Sequence, residues 1–157
     1  MKLITLGPEQ FNFPTPENYQ LEIDATEFQF LIDLANLMVK TNQGTPDLAA
    51  AKREILWRLL DLSGDYRDEH EIETVEDGHI KVLDLQDLNL TIIPKSINLL
   101  KQLFWLNLAN TPITSLPETI ADLGGTLECI ACQSCPLSES EKQKLRQYLP
   151  QTRLNFK

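Results

Sequence analysis

The chain has 157 residues, 42% hydrophobic and 24% charged, with a formal net charge of −9. These are globular values and not those of a disordered chain, and no apolar run approaches the roughly 20 residues needed to cross a bilayer. The charge is uneven: residues 1–78 carry 16 acids and 6 bases, and residues 79–157 carry 7 acids and 8 bases. An acidic half repels phosphate backbones and anionic lipid, so neither nucleic acid nor a membrane is expected as a partner.

Met1 to Leu6 holds too few apolar residues before Gly7-Pro8 to read as a secretory leader. The stretch to Ile23 carries Pro8, Pro14 and Pro16 and reads as extended chain, with short strands at Leu3–Leu6 and Tyr19–Ile23. Asp24-Ala25-Thr26-Glu27 has the form of a capping box and opens a helix running to about Asn42. Phe28, Leu31, Leu34, Ala35 and Met38 share one face of it, and Gly44 is its expected stop. Thr45-Pro46 then starts a second helix, N-cap followed by proline. Ile55, Leu56, Leu59, Leu60 and Leu62 form its apolar stripe, and Gly64 ends it. The acidic run from Asp65 to Asp77 lacks the alternating order and closing glutamate of a calcium loop, and reads as a solvated linker.

From Ile80 the pattern changes to a repeat. Apolar residues fall at Ile80, Leu83, Leu85, Leu88 and Leu90, then at Leu103, Leu106, Leu108 and Ile113, then at Leu127, Ile130, Cys132 and Leu137. The continuation recurs as well: Leu90-Thr91-Ile92-Ile93-Pro94 returns as Ile113-Thr114-Ser115-Leu116-Pro117. One such unit cannot bury its own leucines, but stacked units share a core behind a parallel sheet.

These segments resemble the leucine-rich repeat family, with its L-x-x-L-x-L-x-x-N-x-L core and x-x-L-P-x-x-I-x-x-L continuation. The resemblance covers about half the chain. It departs from the pattern at the asparagine site, which holds Leu88, Thr111 and Cys135 in turn. Asn89 and Asn110, one residue away, are candidates to replace part of the missing asparagine ladder. The fold class implied is α/β: a short leucine-rich repeat solenoid of about three repeats plus a terminal strand. Residues 1–78 would form an N-terminal cap and linker, and residues 79–157 the repeat domain.

The C-terminal end has its own cover. Ser138 and Glu141 open a capping helix with a stripe of Leu145, Tyr148 and Leu149, and Pro150 closes it. Thr152 to Phe156 then alternates as a last strand.

Cys129, Cys132 and Cys135 are spaced C-x-x-C-x-x-C, but the repeat register points Cys132 and Cys135 inward and Cys129 outward. Zinc needs four convergent ligands, so a structural reading is preferred, and no metal site and no cofactor is expected. An odd cysteine count confined to one short stretch fits a reducing compartment, hence a cytoplasmic location. No phosphate-binding, dinucleotide or nucleophile-elbow motif occurs, so an enzyme is not expected.

Family resemblance implies a recognition surface on the outward strand positions of the concave face. The candidate binding residues are Val82, Asp84 and Gln86 from the first repeat, Trp105 and Asn107 from the second, and Arg153 from the last strand. Trp105 is either an exposed anchor or is covered by the N-terminal segment. The expected function is a protein–protein interaction module for a partner protein or peptide. The alternative is a self-associating structural repeat with no separate ligand, and an inhibitor or immunity-type protein is a narrower form of the first reading.

Overall fold

Four strands of three residues each occur at intervals of 23, 24 and 24 residues: Val82–Asp84, Trp105–Asn107, Cys129–Ala131 and Arg153–Asn155. They pair in parallel in chain order, with Val82 beside Trp105, Trp105 beside Cys129 and Cys129 beside Arg153. The structure, a computed structural model, describes residues 2–6, 21–41, 47–60 and 74–157. Before the parallel sheet come β1 (Leu3–Leu6), β2 (Leu21–Asp24), α1 (Ala25–Thr41), α2 (Leu48–Leu60), β3 (Val75–Glu76) and β4 (His79–Ile80). The parallel strands are then β5 to β8, and α3 (Glu139–Tyr148) precedes β8. β1 pairs with β2, and β3 with β4, both antiparallel.

Period-two alternation puts Leu83, Leu106 and Ile130 on the inner face, where each is 1% exposed or less. The residues two places on, Leu85, Leu108 and Cys132, are buried as well. Each return path runs through a 3-10 segment, Lys95–Leu99 in the first repeat and Glu118–Leu123 in the second, which inserts Ile97, Ile120 and Leu123 from behind. The turns leaving the strands share a left-handed residue at the same repeat position: Asp87 (φ 67), Asn110 (φ 58) and Ser134 (φ 63). Asp and Asn tolerate that region better than most side chains, which accounts for two of the three.

The asparagine-ladder expectation needs correcting at Asn110. Among the described residues its side chain bonds no buried loop backbone but bridges to the equivalent turn of the preceding repeat, where Nδ2 donates to Asp87 Oδ1 at 2.6 Å. The ladder site is filled by Thr111 and Cys135, whose hydroxyl and thiol both donate to the Leu108 carbonyl, at 2.8 and 2.9 Å. Hydroxyl and thiol satisfy a buried carbonyl that asparagine usually serves. A second set of cross-repeat bonds lies at the strand approaches, where Thr126 Oγ1 donates to Lys101 O and Thr152 Oγ1 to Leu127 O.

On the N-terminal side, α1 packs on the first 3-10 segment and α2 packs on β5 and on α1. One buried apolar cluster runs from Ile23 through both helices and the repeats to Leu149. The boundary expected at 78/79 falls between β3 and β4, within a hairpin turn where Asp77 and Gly78 both have positive φ. Phe30, absent from the expected stripe of α1, is fully buried, whereas Phe28 is half-buried. α2 is capped by Asp47, whose Oδ1 accepts from Ala50 N at 2.7 Å. The expected Thr45-Pro46 start, the Gly44 and Gly64 stops, Leu62, Tyr19 and the acidic run up to Glu73 lie outside the described residues. At the other end Ser138 caps α3 as expected, accepting from Glu141 N. Among the described residues no helix is long and apolar enough to cross a membrane.

Candidate functional site

The outward positions of β5 to β8 form two rows across the sheet, with neighbours about 4.8 Å apart. The first row is Val82, Trp105, Cys129 and Arg153; the second is Asp84, Asn107, Ala131 and Asn155. Outward does not mean exposed in either row. Val82 is 7% exposed, Cys129 5% and Asn107 4%. Val82 and Asn107, expected to be open to a partner, are therefore covered, and Cys129, expected to point outward, is covered as well. For Val82 and Cys129 the reason is size, since each is a small side chain beside the large Trp105 on the adjacent strand; Asn107 is instead held by Ala109 N of its own turn and by Gln86. Val82 and Cys129 flank Trp105, and Arg153 lies beside Cys129 on the next strand. Trp105 is half-buried, and Arg153 and Asn155 are exposed, so the most accessible outward positions lie on β8.

The second row has a structural duty. Asp84 Oδ1 accepts from Gln86 N, Asn107 Oδ1 from Ala109 N and Asn155 Oδ1 from Lys157 N, each closing the turn after its own strand. Asn107 Nδ2 then donates to Gln86 Oε1 at 3.1 Å, joining the first two repeats. Asp84 also meets α2: Arg58 Nη1 donates to its carbonyl at 3.0 Å and lies 3.8 Å from its carboxylate. Asp84, Gln86 and Asn107 thus sit together as expected, but much of their hydrogen-bonding capacity holds the fold.

The cysteines also separate from expectation. All three are free thiols; Cys129 and Cys132 are buried, and Cys135, not Cys129, is the most accessible. Contact with Cys135, together with burial, pushes the Cys132 thiol well above the usual thiol range.

One buried polar group was not anticipated. Glu27 should reach back to the Asp24 backbone N–H, but that N–H donates to Gly78 O at 2.7 Å. Asp24 still caps α1 through Thr26 N, and Glu27 turns inward. Its carboxylate, 2% exposed, accepts from Ile80 N at 2.8 Å and meets His79 Nδ1 at 2.5 Å. Asp24, Glu27 and His79 place one potential ligand atom each within 4.8 Å of one another. The hydrogen bonds to Ile80, His79 and Thr26 account for this cluster as a tie between α1 and the β3–β4 hairpin.

Burial raises the Glu27 pKa above the ordinary carboxyl range, against the lowering effect of the Ile80 and His79 bonds. The folded chain then keeps a proton that the unfolded chain has already released. Stability therefore falls as pH rises from the ordinary carboxyl pKa through the raised one. Urea midpoints measured across that range should show this slope in the wild type and lose it in Glu27→Gln. Glu27→Leu, which strands the Ile80 N–H, should cost about 1–3 kcal/mol at neutral pH. A Glu27→Leu chain as stable as the wild type would remove the tie from the account of the fold.

No protein-family model matches the chain, and no curated protein matches it. Solved structures do. A leucine-rich repeat protein of Leptospira interrogans is 28% identical, covering 49% of this chain and 25% of its own, with a TM-score of 0.39. The leucine-rich repeat domain of the type III effector XopL is 19% identical, covering 66% of this chain and 32% of its own, with a TM-score of 0.34. The chain spans a quarter to a third of the length of these structures. Its structural neighbours are leucine-rich repeat proteins.

Proposed function

We propose that the chain is an interaction module that binds a partner protein or peptide through the outer face of its parallel sheet, toward the β8 end. The observation that carries this reading is the first outward row. It sets a half-buried tryptophan, Trp105, two strands from an exposed arginine, Arg153, with only the covered Cys129 between them. Tryptophan and arginine are the side chains most enriched among binding hot spots. Residues 1–78 serve as the N-terminal cap of the repeats in 79–157. Three free cysteines suit a reducing compartment, so the proposed location is the cytoplasm.

The test is to recover bound proteins from the source cell on the immobilised chain and titrate the recovered partner calorimetrically against wild type and variants. Trp105→Ala should weaken binding by about 2 kcal/mol or more, roughly thirtyfold. Arg153→Ala should weaken it while leaving the melting temperature where it was. Unchanged affinity in both variants would remove the sheet face from the site. A stable dimer of the free chain, dispersed by Trp105→Ala, would replace the reading with self-association.

A further inference from the structure

A second surface lies on the opposite side of the repeats, where α1 faces the return turns. The helix contributes Asp33, Leu37 and Lys40, spaced to share one stripe. The turns contribute Ile92, Ile93 and Lys95 from the first repeat and Leu116 and Pro117 from the second. Between them is an open groove of about 410 Å³, within the range of known ligand pockets.

Two features mark it out from ordinary surface. Ile92 is 47% exposed. The repeat does not call for an apolar residue there, since the equivalent position in the next repeat is Ser115. The second feature is charge. The acid in the groove, Asp33, already accepts from Ser96 Oγ at 2.6 Å and from Gln29 Nε2 at 3.0 Å. Lys40 and Lys95 are exposed, and neither makes an ion pair with a described residue. The uncommitted charge at the groove is thus positive, on a chain whose net charge is −9.

We infer that this groove docks an acidic, apolar peptide segment of a partner protein. An apolar side chain seats on Leu37, Ile92 and Leu116, and flanking carboxylates pair with Lys40 and Lys95. The inference stands apart from the sheet-face reading, because the groove shares no residue with the outward rows. It requires a partner whose charge is opposite to what the whole-chain charge would attract.

The test uses the full chain and a fluorescein-labelled dodecapeptide of alternating glutamate and leucine, read by fluorescence polarisation. The peptide of alternating lysine and leucine serves as the comparison. Saturable binding of the acidic peptide is expected, weakening as salt is added. Ile92→Glu, and separately the pair Lys40→Glu with Lys95→Glu, should each reduce it at least tenfold, with melting temperatures checked to confirm folding. Trp105→Ala should leave it in place, which separates failure here from failure of the sheet-face site. No saturable binding, equal binding of the basic peptide, or indifference to Ile92→Glu would overturn the inference. So would a dimer in light scattering that Ile92→Glu disperses, since the groove would then belong to a second copy.

Discussion

Phe30→Ala should lower the folding stability by about 3–5 kcal/mol, and the loss should be felt in the repeats as well as in the helix that carries the residue. Phe30 is fully buried in α1, inside an apolar cluster that continues without a break from Ile23 to Leu149. A chain of this size holds roughly 5–15 kcal/mol in all, so the substitution removes a large share. The sequence supplies two reporters, Trp57 in α2 and Trp105 in β6. With each tryptophan kept in turn and the other replaced by phenylalanine, urea unfolding followed by fluorescence reads the two regions separately. Both reporters should give the same midpoint, and Phe30→Ala should shift both together. Two separate midpoints, with only the Trp57 signal moved by Phe30→Ala, would show that the helices and the repeats fold as independent units.

The strands were legible in the sequence because their signal is periodic. A leucine pattern recurring every 23 or 24 residues fixes register, and register fixes which side chains face inward. The capping serine of α3 was legible for a similar reason, since its partner Glu141 lies three residues away. What failed depended on residues far apart in the chain. The pattern Asp24 to Glu27 is locally a capping box, but the Gly78 carbonyl takes the N–H that Glu27 would have used. Exposure along the outward rows failed likewise. Alternation says that Val82 and Cys129 point away from the core, but only the neighbouring strand shows that a tryptophan lies between them. The groove was invisible because its walls, at Leu37 and Ile92, are joined only by the packing of α1 on the first return turn.

Leu106→Ala should cost roughly 2–5 kcal/mol, and the comparison with its neighbour Trp105 tells which face of the sheet is core. Leu106 is fully buried in β6, with Leu83 and Ile130 beside it in register, so truncation opens a cavity bounded on both sides by rigid strands. Strand alternation turns Trp105 the other way. Trp105→Ala removes more atoms than Leu106→Ala, but from a half-exposed position. Its effect on the free chain is to uncover Val82 and Cys129, so it should be measurable but smaller than that of Leu106→Ala. Paired urea titrations of the two variants give the order directly. If Trp105→Ala proves as costly as Leu106→Ala, the outward row is a second core, and its tryptophan is not available as an anchor for a partner. If it costs distinctly less, Trp105 has apolar surface left to bury, and a docking partner would gain that burial where the fold has not already taken it.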